Sequence, residues 1–295
     1  MKVQEHPLKN QVPEAWYTDD YLSRTIDGVT DLDWLAAQEH LGFAILIEGP
    51  TGCGKTSCVY AWAAREGLPV VNIPCSRSLD VESLTGRWAP TSDASYDFAL
   101  GDLPLVLQHG GVILFDEVDR LDGEAWSYMH SLTDKRASIS IHQAAGSSSP
   151  TLVTRDPDAR VLIVGTYNGS YGHRKMDPAT INRFQARLTM DYDGVIEKAL
   201  VPESPTLLTL ANVLRESKRV GDLRTETPTN ALVEFTILFE ALGINAALGN
   251  FCRRYEPEEQ EVVRVLVEAH AKAISKELGG AIPAPVHLSE VEVLT

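Results

Sequence analysis

The stretch that most restricts the fold runs from Phe43 to Thr56, F-A-I-L-I-E-G-P-T-G-C-G-K-T. Phe43 to Ile47 is an apolar run of the kind that forms a parallel strand buried on both faces. It breaks into Gly49-Pro50-Thr51-Gly52-Cys53-Gly54-Lys55-Thr56, which fits G-x-x-x-x-G-K-[ST] at every position. Glycines there let the chain curl until successive backbone N–H groups face one phosphate. A helix predicted from Lys55 to Glu66 aims its positive end at the same point. In that geometry Lys55 reaches the β- and γ-phosphates and the Thr56 hydroxyl binds Mg²⁺. The plain alternative is a Gly-rich turn. So many constrained positions between a strand and a helix outweigh it.

A second site signal lies downstream. Gly110-Gly111 introduces Val112-Ile113-Leu114-Phe115-Asp116-Glu117, an apolar strand with an acidic end. Ligands of α/β sheets sit at strand ends. Asp116 is the candidate to hold Mg²⁺, and Glu117 to orient and deprotonate a water. Val161 to Val164 predicts another buried strand, ending in Gly165-Thr166-Tyr167-Asn168. Its amide is expected between the carboxylates and the γ-phosphate. The phosphate-loop and acidic strand tips are expected side by side.

The rest of the chain arranges itself around these strands. Residues 1–22 read as a polar surface arm, in which Trp16, Tyr17 and Tyr21 pack or stack on a base. Thr30 to His40 predicts a short helix capped by Thr30 or Asp31. Leu68 to Ile73 predicts a strand. Leu79, Val81 and Leu84 suit a short helix, and Thr85-Gly86-Arg87-Trp88 a loop. Asp97 to His109 shows apolar residues at helical spacing. Asp122 to Thr133 predicts a helix with Trp126, Met129 and Leu132 on one face. Ala137 to Ile141 and Thr151 to Thr154, joined by a loop at Ala144 to Pro150, predict a β-hairpin jutting from the domain. Met176 to Arg187 predicts a helix carrying Asn182-Arg183-Phe184, and Leu188 to Met190 a last short strand.

Beyond Asp191 to Pro205 no sheet pattern remains. Helices are predicted at Pro205 to Lys218, Thr229 to Leu242, Ile244 to Arg254 and Pro257 to Leu278. The last has a broad apolar face of Val262, Val263, Leu266, Val267, Ala269, Ala273 and Ile274. The expected layout is an arm at 1–22, an α/β domain at 23–195, a helical domain at 196–280 and a tail at 281–295.

Bulk properties exclude some partners. With 44% hydrophobic residues in 295, the chain has enough for a real core. A net charge of −15 does not draw it to nucleic acid or an anionic membrane, so nucleic acid is not an expected partner. Cys53, Cys58, Cys75 and Cys252 form no C-x-x-C pair, which fits a reducing compartment without a zinc site. The polar Met1 to Asn10 does not read as a signal peptide, and no apolar run is long enough to span a bilayer. A cytoplasmic location is expected.

The whole order is a phosphate loop, a D-E strand, a strand ending in Asn, an Arg-Phe pair, then helices. It resembles the AAA+ ATPases. L-T-G-R-W, the G-D-L-P-L-V-L-Q-H-G-G-V-I-L-F-D-E-V-D block and G-T-Y-N…I-N-R-F are similar to the MoxR branch, nearest to the cobaltochelatase ATPase subunit and the Q-type Rubisco activases. The resemblance covers about residues 25 to 275. It implies an α/β P-loop NTPase core with parallel sheet and a C-terminal all-helical lid. It implies ATP with Mg²⁺ as ligands, and a hexameric ring. Gly49 to Thr56 would hold nucleotide, Thr56 and Asp116 the metal, and Glu117 the attacking water. Asn168 would be the γ-phosphate sensor, and Arg183 an arginine finger reaching the next subunit's nucleotide. The loop near Arg87-Trp88 and the hairpin at 137–154 would face a central pore. The partner would be a separate client or a protein with a von Willebrand factor A domain.

This sequence departs from the pattern at Asn182, where the family often has Asp. It also has Thr227-Pro228-Thr229 where the lid helix usually begins Ser-Pro-Arg; Arg224 lies just upstream. The expected function is Mg²⁺-dependent ATP hydrolysis driving remodelling or activation of a partner protein, including metal or cofactor insertion. Two alternatives stay open: a GTP-driven motor of a DNA-restriction-type system, and a slowly hydrolysing, nucleotide-gated scaffold.

Overall fold

The computed structural model describes residues 6–90, 95–121, 123–134, 136–141, 151–169 and 176–279. The chain divides into two compact units, Met1–Asp191 and Tyr192–Thr295, so the boundary falls a few residues before the one expected.

The first unit opens with a 3₁₀ turn at Lys9–Gln11, α1 (Trp16–Asp19) and a two-residue hairpin of β1 (Thr25–Ile26) and β2 (Val29–Thr30). Next come α2 (Asp31–Leu41), β3 (Ile45–Glu48), α3 (Lys55–Glu66), β4 (Val70–Pro74) and α4 (Val81–Thr85). β5 (Gly86–Pro90), β6 (Tyr96–Leu100), α5 (Asp102–His109) and β7 (Gly111–Asp116) lead to a 3₁₀ turn at Val118–Arg120. The unit ends with α6 (Gly123–Thr133), β8 (Ser138–Ile141), β9 (Thr151–Thr154), β10 (Val161–Tyr167), α7 (Pro178–Ile181) and β11 (Ala186–Thr189).

Its centre is a five-stranded, all-parallel sheet in the order β11-β3-β10-β7-β4. Nearly every residue of β3, β7 and β10 is buried, as their unbroken apolar runs require of a sheet covered on both faces. β3 and β7 do not pair with each other. β10 lies between them, so the two strand tips expected side by side are separated by a third.

Helix ends follow their local chemistry. Thr30 caps α2 by accepting the Asp33 N–H on its side chain, and Gly42 and Gly67 end α2 and α3 in the left-handed conformation. The N-terminal arm is bound to the unit. Leu8 is buried in the core, His6 Nε2 lies 3.0 Å from the Gly110 carbonyl, and Thr18 donates to the Ala61 carbonyl. Trp16 stacks on Tyr17, which in turn tilts against Tyr60.

Three expectations change in this unit. Tyr96–Leu100 is a strand and not the start of a helix. It pairs antiparallel with Gly86–Pro90, which takes in Gly86, Arg87 and Trp88 of the expected loop. Tyr96, Phe98 and Leu100 recur at every second position, and the edge-to-face contact of Trp88 with Phe98 joins the two strands across the ladder. The predicted helix at 176–187 shrinks to Pro178–Ile181. Ala186 and Leu188 instead alternate inward on β11, paired with β3. The strands of the hairpin expected to jut out, β8 and β9, pack on the main core, where Ile139, Ile141 and Val153 are buried. Trp126 and Leu132 of α6 join that core; the Met129 side chain, the loop at 144–150 and the tail at 281–295 lie outside the described residues.

The second unit is helical: α8 (Gly194–Leu200), α9 (Pro205–Val220), α10 (Thr229–Leu242), α11 (Ile244–Cys252) and α12 (Gln260–Gly279). α8 was not anticipated; its signal is the Asp193 cap, which accepts the Val195 and Ile196 N–H groups. Phe235 and Phe251 meet edge to face in a core with Leu207, Leu210, Val263 and Val267. The apolar face of α12 is narrower than expected, because Val262 points to solvent with Val265. Glu197 is buried and fully matched. It takes two bonds from Arg215, at 2.6 and 2.8 Å, and one from Thr229 at 2.6 Å, while Arg215 stacks over Tyr192.

All five tryptophans belong to the first unit, so selectively excited tryptophan fluorescence reports its unfolding, free of the tyrosines Tyr192 and Tyr255 of the second. Leu46→Ala, in the middle of the sheet, is expected to lower that unit's stability by about 2–5 kcal/mol in urea titration. The four cysteines are free and buried. Burial pushes the Cys53, Cys58 and Cys75 thiols up, against the thiolate. The folded protein should therefore resist a thiol reagent at neutral pH, and all four should react once it is denatured in guanidinium.

Candidate active site

Three neighbouring strands deliver the candidate residues to one end of the sheet. β3 runs into the Gly49 to Thr56 loop, β7 ends at Asp116 with Glu117 next, and β10 ends one residue before Asn168. The loop is stitched to its neighbours from the start: the Gly49 N–H donates to the Tyr167 carbonyl at 3.0 Å. A Cβ at Gly49 would lie 2.0 Å from the Met190 carbonyl oxygen, so no side chain fits there. Gly54 sits at φ 101°, immediately before the first helical residue Lys55. That bend turns the loop into the N-terminus of α3. The N–H groups of its first turn, which the helix itself cannot pair, and its positive end suit an anion.

Lys55 is buried and folded over the loop. Its ammonium donates to the Gly49 and Pro50 carbonyls, both at 2.8 Å, and to Asn168 Oδ1 at 3.0 Å. Those are the three donors it has. Burial pulls its pKa below the ordinary lysine range, while Asp116 and Glu117 act in the opposite sense. Cys53 is buried in the loop with its thiol toward the Met190 carbonyl.

The acidic pair is held by a residue that the sequence reading passed over. The Thr166 hydroxyl donates to Asp116 Oδ1 at 2.5 Å and accepts the Glu117 N–H at 2.8 Å. The same Asp116 oxygen accepts from Thr56 at 3.2 Å. Side chains on a strand share a face every second residue, so Thr166 belongs with Asn168; that periodicity was the available signal. Glu117 adopts a left-handed backbone, φ 58° and ψ 56°. One of its oxygens faces the Asn168 amide at 3.5 Å, and the other pairs with Arg120 at 2.9 Å.

The donor set suits a hard cation. A hydroxyl and a carboxylate oxygen meet at Thr56 and Asp116. Mg²⁺ needs few protein ligands when phosphates and water complete its octahedron. No larger cluster of His, Cys, Asp or Glu suited to a metal occurs among the described residues.

Arg183 is not brought to this group. It follows α7 and pairs with Asp134 at 3.4 Å, with both side chains well exposed. Its neighbour Phe184 is buried against Trp126, edge to face, which anchors the turn. In the second unit Thr227 is buried and bonded to Tyr255, and Pro228 precedes the first residue of α10. The Arg224 backbone N–H is taken by Glu259. These positions cap and brace helices of their own unit.

Residues 44–184 match the model of the AAA domain, dynein-related subfamily. The denitrification regulatory protein NirQ of Pseudomonas aeruginosa is 32% identical over 59% of this chain and 65% of its own length. The protein NorQ of Paracoccus denitrificans is 29% identical over 50% of this chain and 52% of its own. The protein CbbQ of Hydrogenophilus thermoluteolus is 27% identical over 50% and 52%. The match thus spans from about half to just under two thirds of the length of these relatives. No helix among the described residues is long and apolar enough to cross a membrane. Residues 44–184 are an AAA domain of the dynein-related subfamily, and the likeness to NirQ, NorQ and CbbQ is consistent with the MoxR branch of the AAA+ ATPases.

Proposed function

We propose that this chain is a Mg²⁺-dependent ATPase that works in a hexameric ring and spends hydrolysis on remodelling or activating a separate partner protein. The observation that carries the reading is the meeting of Lys55, Thr56, Asp116, Glu117 and Asn168 at three adjacent strand ends.

In this reading the N–H groups of the Gly49 to Thr56 loop take the phosphate oxygens. Lys55 exchanges a carbonyl partner for the β- and γ-phosphates. Thr56 and Asp116 would hold Mg²⁺, whose charge offsets that of the phosphates. Glu117 orients a water and takes its proton, with Asn168 bridging Lys55 and Glu117 so that the γ-phosphate and the base sense each other. Thr166 keeps Asp116 and Glu117 in register. Arg183, exposed and off its own site, suits delivery to a neighbouring subunit's nucleotide. The names of the relatives, a denitrification regulatory protein among them, support a regulatory or activating role toward another protein. A client with a von Willebrand factor A domain is the partner we favour. The buried free cysteines fit a reducing, cytoplasmic setting.

One observation favours a second reading, a slowly hydrolysing scaffold gated by nucleotide. Arg120 occupies one oxygen of the base. The pair is exposed and worth at most about 1 kcal/mol, so we rank it second.

Lys55→Ala is expected to abolish ATP binding in a fluorescent-nucleotide titration. Glu117→Gln should keep binding and slow hydrolysis by about 10²–10⁴. Full turnover in either variant would refute the assignments, and competition between ATP and GTP would expose a GTP-driven motor. Arg183→Ala should slow turnover of the assembled protein by about 10³. Mixing it with Lys55→Ala should restore part of the activity, since an interface that joins the nucleotide site of an Arg183→Ala subunit to the Arg183 of a Lys55→Ala neighbour is whole; no recovery would rule out delivery between subunits.

A further inference from the structure

We propose that Arg24 is a positioning residue for the nucleotide: from outside the phosphate loop it fixes the Cys53–Gly54 peptide so that the Gly54 N–H faces the phosphates. The inference rests on the nucleotide reading of that loop.

Arg24 lies just before β1, far in sequence from the loop, yet its side chain is only 10% exposed. Its Nη2 donates to the Cys53 carbonyl, and its Nη1 donates to the Tyr21 hydroxyl at 3.2 Å. Tyr21 in turn donates to Asp31 Oδ2 at 2.6 Å. Asp31 is fully buried at the start of α2. Its other oxygen accepts the Leu32 N–H at 2.9 Å, and its own N–H donates to the Arg24 carbonyl at 2.9 Å. Arg24 and Asp31 stand 3.9 Å apart and balance each other's charge. Burial above all, with Cys58 and Asp31 beside it, holds the Tyr21 phenol far above its ordinary range. Tyr21 therefore stays a neutral donor toward Asp31 and an acceptor toward Arg24. The chain of bonds has one polarity, and it ends on the Cys53 carbonyl.

A trans peptide points its C=O and its N–H in opposite directions. A Cys53 carbonyl turned out to Arg24 therefore turns the Gly54 N–H inward. The fit is close: a Cβ on Gly54 would lie 3.4 Å from Arg24 Nη2. With the guanidinium removed, that carbonyl loses its partner and the peptide is free to rotate. The loop must then be ordered anew at each binding event, which weakens affinity and leaves the chemical step alone.

The test compares nucleotide affinity and steady-state kinetics in the full-length protein carrying Arg24→Met, Arg24→Lys or Tyr21→Phe. Titration with a fluorescent ATP analogue is expected to show Kd raised about tenfold in Arg24→Met. KM should rise in parallel while kcat stays close to wild type. Arg24→Lys should recover only part of the loss, since an ammonium cannot span Cys53 and Tyr21 as the fork does. Tyr21→Phe, which keeps the ring, should raise Kd about threefold. A role confined to stability would lower the unfolding midpoint and leave Kd and KM unmoved, and that result overturns the proposal. If Arg24→Met does not fold, an unchanged Kd in Tyr21→Phe overturns it equally. Wild-type protein that binds no better than Lys55→Ala would instead sink the nucleotide reading, and this inference with it.

Discussion

The site depends on the parallel pairing of β10 with two strands at once. Val164 sits opposite Ile45 of β3 and Leu114 of β7, and Gly165 opposite Leu46 and Phe115. This double register levels the three strand ends, so that Lys55, Asp116 and Asn168 arrive at the same height. A slip of one residue on either side would turn Thr166 and Asn168 to the other face of the sheet. The buried valines, isoleucines and leucines of these strands therefore do more than make a core. They set the relative position of polar groups that never touch them.

Thr166 shows how such a site holds together in a buried setting. Its hydroxyl is satisfied at both ends, as an acceptor for a backbone N–H and as a donor to a carboxylate. The left-handed backbone of Glu117 carries a cost of about 1–3 kcal/mol for a residue of that type. The bond from its N–H to Thr166 helps offset that cost. The outcome is two adjacent carboxylates with separate tasks: Asp116 faces Thr56, and Glu117 faces Asn168 and Arg120.

Much of this arrangement was legible in the residues. The phosphate loop and the acidic strand identify themselves, because each needs particular residue types at fixed spacing. The cap of α2, read as Thr30 or Asp31, was equally plain. Reading failed where two periods compete. Phe98 and Leu100 fit a helix continuing into Leu103 and Val106, and only the partner strand at Gly86–Pro90 decides for β. The segment from Ala186 to Thr189 was hidden in the same way, since its pairing with β3 is remote in sequence. Arg24 gave no local sign at all. Its role exists only because the arm folds back beneath the loop.

The contact between Arg183 and Asp134 is weak. Both groups face water, with 39% and 56% of their side chains exposed, so the pair is worth only about 0.2–1 kcal/mol and is weakened by salt. Phe184 fixes the stem of this turn while the guanidinium tip stays loosely tethered. A cation held this weakly can exchange Asp134 for another acceptor at little energetic cost.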